Sequence, residues 1–389
     1  MVNALAPGLD RAAMRKAFDW LIVGAGFTGC VLAERIASQL DKKVLLIDRR
    51  NHIGGNAFDY YNEHGIYLHK YGPHIFHTNS KRVWDYLSAF TRWRLYKHRV
   101  LGLIDGRTVP IPFNLTSLHR LFEPSHATGL EEALLEEYSY DERVPLSSLR
   151  KHRNPGLREF ADFVFEKVYY GYTLKQWGVG PDELDPSVTA RLPLVIGHDD
   201  RYFQDIYQGI PESGYTKLFE TITCHKNIDV ILGVDFAEVR AATSYGGIAY
   251  TGPIDELLEY CFGPLPYRSL RFEHVTHDQE FFQEVATVNY PNDFEFTRIT
   301  ELKHMTGQAS GKTTITYEYP QPHNPLLNDP YYPIPGPENR DLHRRYVEEA
   351  RRLDDRILFA GRLADYKYYN MDQAVARALT LFEKYICGR

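Results

Sequence analysis

Three glycines in "VGAGFTG", Gly24, Gly26 and Gly29, stand at the G-x-G-x-x-G spacing. That spacing suits a pyrophosphate. Gly24 permits a tight turn, Gly26 lets backbone approach the phosphates, and Gly29 allows the following helix to pack closely. The unpaired N–H groups at the start of such a helix would face the anion. Asp48 stands 24 residues after Gly24 and ends the next apolar run, where a carboxylate can accept ribose hydroxyls. A second group lies in "KYGPHIFHT", where His74 and His77 are three apart and His69 stands just upstream. Imidazoles so spaced could ligate a metal, act as bases, or bond a bound ring. Pro73 disfavours helix at Gly72, so the pair is poorly placed to share a helix face as metal ligands. No acidic partner stands beside them at ligand spacing. We therefore expect no metal site here.

The elements that must position these groups read clearly. "FDWLIV" is an apolar run suited to a buried strand, "CVLAERIASQL" has helical spacing at Val31, Leu32, Ile36 and Leu40, and "KKVLLIDRR" is a second buried strand. Strand, glycine turn, helix, strand and acid in that order form a dinucleotide-binding βαβ unit. The next glycine pair, Gly54-Gly55 in "RRNHIGGNAFDYY", is similar to the second signature of FAD proteins of the glutathione-reductase and amine-oxidase type. A plain glycine turn would read the same way.

Farther along, "LTSLHRLFEP", "GLEEALLEEY" and "GLREFADFVFEKVYYGY" have helical spacing. "YRSLRFEHV", "ATVNYP", "FTRITELKHM" and "KTTITYEYP" read as antiparallel strands. The chain closes with a strand ending in "FAGR" and a long helix, an end shared by many FAD domains. The expected class is α/β. A discontinuous Rossmann-like FAD domain (18–90, 212–263, 352–389) follows an N-terminal extension (1–17). A helical substrate region (114–211) carries a mobile loop near 178–200, and an antiparallel sheet region covers 91–113 and 264–351.

Bulk properties narrow the partners. The 389 residues carry a formal charge of −6, which gives no general pull toward nucleic acid or anionic membrane. The four cysteines are scattered without C-x-x-C spacing, which suits a reducing cytoplasm. No apolar run approaches a membrane span, so no membrane insertion is expected. Tyrosine is as frequent as glycine, at 28 each, and flat rings with polar edges suit sugars and nucleobases.

Taken together, "GAGFTG", "NHIGGN", "YGPHIFHT", "GYTLKQWG", "ARLP", "YFQDIYQGIPESGYTKL", "TGPIDELLEY", "YRSLRFE", "FTRITE", "YYPIP" and "GRLADYKYYNMDQ" resemble the UDP-galactopyranose mutases of the shorter bacterial type. The motifs run in order over nearly the whole chain. The resemblance implies interconversion of UDP-galactopyranose and UDP-galactofuranose with no net redox change, yet with reduced FAD. In such enzymes N5 of the reduced flavin holds the anomeric carbon while the sugar opens and recloses. Reduced nicotinamide is the implied electron donor, cell-surface glycans the implied use of the furanose, and a homodimer or higher oligomer the implied assembly.

Residue by residue, the resemblance places Arg191 and Arg298 on the diphosphate, as catalytic groups, and His77 beside the flavin in a catalytic role. Tyr169, Tyr172, Thr173, Trp177, Tyr202 and Asn289 fall to the nucleotide. Tyr332 and Tyr368 fall to the phosphates, with Tyr331 and Tyr369 as neighbouring alternatives. Asn370 stands where some members carry Asp. The cofactor residues implied are Gly24, Gly26, Phe27, Thr28, Gly29, Asp48, Arg49, Gly55, Asn56, His74, Ile75, Gly361, Arg362 and Met371. Two other readings compete: an ordinary FAD oxidoreductase, and a non-catalytic nucleotide-sugar binding protein.

Overall fold

The structure is a computed structural model, and it describes residues 17–181, 193–240 and 245–387. Its centre is a five-stranded parallel sheet in the order Ile228–Leu232, Val44–Asp48, Trp20–Val23, Gly247–Tyr250, Ile357–Phe359. The inner strand Val44–Asp48 is buried along its whole length. A continuous apolar run with both faces covered is what a parallel strand requires. One face is covered by the helices Phe27–Leu40, Tyr215–Thr223 and Met371–Leu381, which share a core built on Leu32, Ile36, Leu46, Phe219 and Leu379. Burying a side chain such as Leu32 is worth about 2 kcal/mol. Helix Phe27–Leu40 ends on Asp41 in the left-handed conformation, φ 51. Its one buried acid, Glu34, is satisfied by Arg35 at 2.6 Å and by the Tyr86 hydroxyl at 2.8 Å.

A seven-stranded sheet forms a second layer, in the order Tyr332–Pro333, Tyr267–His277, Thr313–Pro322, Arg298–Glu301, Thr287–Asn289, Val100–Ile104, Arg107–Ile111. It departs from the sequence expectation in three ways. The sheet is mixed, because Thr287–Asn289 runs parallel to Val100–Ile104. Trp93–Leu95 belongs instead to a separate three-stranded sheet with Phe76–Thr78 and Tyr207–Pro211. The strand in "FTRITELKHM" stops at Glu301, and Lys303–Thr306 coils into a short helix that ends at Gly307, φ +64.

Helices Leu115–Leu121, Pro124–Glu137 and Pro155–Val164 form a separate core around Leu118, Leu130, Leu134, Phe160 and Val164. The last of these runs on through a π-helical turn, Phe165–Tyr170, into Gly171–Trp177. A π turn inserts an extra residue per turn and rotates everything after it about the helix axis.

Candidate active site

A cavity of about 670 Å³ opens where strands Trp20–Val23 and Val44–Asp48 end. Gly24 has φ +102, and a Cβ there would stand 2.0 Å from Thr251 Oγ1. A Cβ on Gly29 would stand 1.8 Å from the Gly24 carbonyl oxygen. Gly55, at φ +57, brings its backbone so near that an added Cβ would be 3.1 Å from Gly26 Cα. Two glycine turns thus meet at the cavity wall, beside the first turn of a helix that has no side-chain cap. Asp48 is buried, and its carboxylate accepts the N–H of Ala25 at 2.8 Å and of Arg50 at 2.9 Å. The acid therefore fixes the glycine turn as well as lining the cavity.

Phe27, Thr28, Arg49 and Asn56 line the same cavity, and His74, Gly361, Arg362 and Met371 line it from the other side. Ile75 does not; it packs with Ile66, Leu68 and Ile210 in an apolar cluster. Its neighbour His74 takes the cavity position instead. Charged residues on this wall were missed from sequence, Arg50 and Glu256 among them. Arg50 bonds Asn56 at 2.8 Å and Asp329 at 2.7 Å, and Glu256 pairs with Arg49 at 2.9 Å. The Arg49-Arg50 doublet was the available signal for the first; nothing local marks Glu256.

His74 and His77 part company. His74 Nδ1 faces the Gly72 carbonyl at 2.8 Å, and its backbone N–H donates to His69 Nδ1 at 3.0 Å. Burial, with the neighbouring His69, pushes the His74 pKa down to about 3. Its imidazole is therefore neutral, with Nδ1 carrying the proton and Nε2 free of one. His77 instead stacks on Phe203 with ring centroids 3.7 Å apart, and its Nδ1 lies 2.9 Å from Asp205 Oδ2. It does not line the cavity.

Beyond the cavity lies an aromatic and cationic cluster. The rings of Tyr332 and Tyr368 are 5.4 Å apart, and Trp177 is 6.3 Å from each. Arg362 stands between cluster and cavity. Its guanidinium carbon is 5.3 and 5.6 Å from the two tyrosine rings, while its Nη2 donates to the Tyr369 carbonyl at 2.6 Å. Tyr331, Tyr369 and Asn370 line the cavity, and the Tyr331 ring also stands 6.3 Å from that of Tyr332. Asn370, expected on the substrate, precedes helix Met371–Leu381, and its N–H donates to Gln373 Oε1 at 3.0 Å.

Arg298 donates a hydrogen bond to the Tyr172 hydroxyl and lies 3.6 Å from Glu318 Oε1. Burial works against its charge, but Glu318 and the surrounding tyrosines hold its pKa well above the ordinary arginine value. Burial pushes Tyr172 up to about 12 against the pull of Arg298. It also raises the Glu318 carboxyl, despite Arg298. Asn289 is the cross-strand partner of Arg298. Asn289 Oδ1 and Arg298 Nε are both buried without a hydrogen-bond partner, Nε being the atom that lies 3.6 Å from Glu318 Oε1.

Tyr202 packs edge-on against Phe203 at 4.9 Å and stands within electrostatic reach of Arg298. Thr173 is buried on the same helix as Tyr172 and Trp177. Tyr169, expected on the nucleotide, is buried in the core of the helical region, and its hydroxyl bonds the Pro193 carbonyl at 3.3 Å. Arg191, with the rest of 182–192 in the segment near 178–200, lies outside the described residues. Glu318 escaped sequence reading, since polar and apolar residues are both buried along Thr313–Pro322.

Comparison with known proteins bears on this geometry. Residues 167–368 match the UDP-galactopyranose mutase family model, and residues 22–90 match a NAD(P)-binding Rossmann-like domain. A probable UDP-galactopyranose mutase of Klebsiella pneumoniae is 35% identical, with 94% of each chain covered. A dTDP-fucopyranose mutase of Escherichia coli is 32% identical over 94% of this chain and 98% of its own. A crystal structure of reduced UDP-galactopyranose mutase superposes with a TM-score of 0.73 over 96% of both chains; at 16% identity it bears on the fold alone. With the family model spanning 167–368 and mutases matching nearly end to end, the chain belongs to the UDP-galactopyranose mutase family of isomerases.

Proposed function

We propose that the cavity holds FAD and that the adjoining cluster holds UDP-galactopyranose or UDP-galactofuranose, which the enzyme interconverts without net redox change. The observation that carries this reading is the place of Arg362, on the cavity wall and over the rings of Tyr332 and Tyr368 at once. The cavity fits a flavin dinucleotide. Its mouth is built of glycines whose Cβ atoms would clash, and an uncapped helix start is offered to a pyrophosphate. When bound and reduced, FAD would supply a nucleophile toward the galactose anomeric carbon, with UDP as the group that leaves and returns.

The chain's own residues orient and charge the site. Arg298 binds the diphosphate and stabilises the charge that grows on the departing phosphate oxygen. Tyr332 and Tyr368 add hydroxyl donors, and Trp177 and Tyr172 wall the nucleotide side. Arg362, fixed by the Tyr369 carbonyl, places a permanent cation beside the cavity, which favours an anionic reduced flavin. His74, neutral and with Nε2 unprotonated, accepts a hydrogen bond there. Glu318 balances Arg298 without closing on it. This reading includes reduced nicotinamide as electron donor, a homo-oligomer as the working form, and a cytoplasmic place in making galactofuranose for cell-surface glycans.

The test is chromatographic. The full chain is incubated with UDP-galactofuranose, with and without dithionite, beside a parallel dTDP-fucose series. Conversion to UDP-galactopyranose only after reduction is expected. Oxidised sugar products, or conversion of the dTDP sugar alone, would refute the reading.

A further inference from the structure

Where Trp177 stands depends on a buried side chain two elements away. Arg268 lies in strand Tyr267–His277 and is 7% exposed. Its Nε donates to the Gln176 carbonyl at 2.9 Å and its Nη2 to the Lys175 carbonyl at 3.0 Å. These carbonyls sit at the end of helix Gly171–Trp177, where a helix has no partners of its own and where a cation is favoured. Gly178 closes that helix at φ +74, and a Cβ there would be 2.8 Å from Arg268 Nη1. The guanidinium is thus seated against the glycine.

The backbone of the same residue holds the facing aromatic. Arg268 is the cross-strand partner of Tyr332, and its carbonyl accepts the N–H of Tyr331 at 2.8 Å. Side chain and main chain of one residue therefore join the helix that ends on Trp177 to the strand that begins at Tyr332. The two rings so joined are 6.3 Å apart.

We propose that Arg268 is a positioning residue for sugar-nucleotide binding, setting the Trp177 indole against Tyr332 and Tyr368. The proposal rests on the sugar-nucleotide reading of this cluster. A role in general stability would cost every function alike. Positioning of Trp177 would show as coupling between the two residues.

The experiment is calorimetric titration of UDP into the full chain and into Arg268→Met, Arg268→Lys, Trp177→Ala and the Arg268→Met/Trp177→Ala double variant. Flavin content is measured for each. Arg268→Met is expected to weaken UDP binding roughly tenfold or more with flavin retained, and Arg268→Lys to recover part of the loss. In the Trp177→Ala background the same Arg268→Met change is expected to cost less than about twofold, the non-additivity of coupled residues. An equal loss in both backgrounds overturns the proposal, as does an unchanged affinity. Should Arg268→Met not fold, Gly178→Ala carries the same comparison, because its Cβ would displace the guanidinium while keeping the charge. A wild-type chain that fails to bind UDP refutes the sugar-nucleotide reading and this proposal with it. A wild type that binds, with Arg268→Met binding equally well, refutes the proposal alone.

Discussion

Arg298 is a buried cation kept charged by its surroundings. Replacing it with Met is expected to lower kcat/KM by roughly 10²–10³, since the lost contact strengthens as charge develops. Steady-state kinetics check this; a loss confined to KM would mean the arginine binds ground state and transition state alike. A second residue-scale consequence concerns histidine. His69 and His98 are buried and His74 is enclosed at the cavity wall, and desolvation lowers each pKa to about 3. Each is neutral in the fold and, once unfolded, binds a proton below about pH 6.5. Their neutral burial therefore leaves stability intact above that pH and removes it as pH falls from 6.5 toward 3. Between pH 7.5 and 5.5 each should cost about 1 kcal/mol. Denaturant unfolding of wild type and His98→Gln at the two pH values should show the variant losing about 1 kcal/mol less. At this scale the glycine turn and Asp48 were legible as cavity wall because their types and spacing imply that place, whereas Arg298 was picked out only by the resemblance. Tyr169 was not legible, because the π turn Phe165–Tyr170 shifts the helical phase by which its face would be read.

Elements turn those residues into geometry, and here glycine is the sharpest probe. Gly29→Ala would set a Cβ 1.8 Å from the Gly24 carbonyl, forcing helix and strand apart where the two glycine turns meet. The variant is expected to purify without flavin, read as flavin absorbance per protein; a normal yield of yellow protein would contradict this. Gly129 sits exposed within helix Pro124–Glu137 with open space around its Cα. Gly129→Ala should stabilise by about 0.5–1 kcal/mol, from propensity and unfolded-chain entropy alone. Thermal unfolding decides it. Element types were largely legible from apolar periodicity. The short helix Lys303–Thr306 was not, because four residues carry no periodicity to read.

In the whole molecule, segments distant in sequence meet. The parallel sheet draws strands from three separated stretches, and the ring cluster draws Trp177, Tyr332 and Tyr368 from three more. The order of motifs signalled that such assembly occurs. Pairings such as Thr287–Asn289 beside Val100–Ile104, or Trp93–Leu95 beside Tyr207–Pro211, leave no local trace, since nothing in either partner names the other. The central claim also belongs to this scale: a flavin cavity and a diphosphate cluster joined at Arg362 isomerise a sugar nucleotide without consuming electrons. Its most direct test is to reduce the enzyme once, exclude oxygen, add excess UDP-galactofuranose, and follow flavin absorbance and product together. The account predicts many molecules of UDP-galactopyranose per flavin while the flavin stays reduced. Product that stops at one per flavin, or flavin that oxidises in step with product, would contradict it.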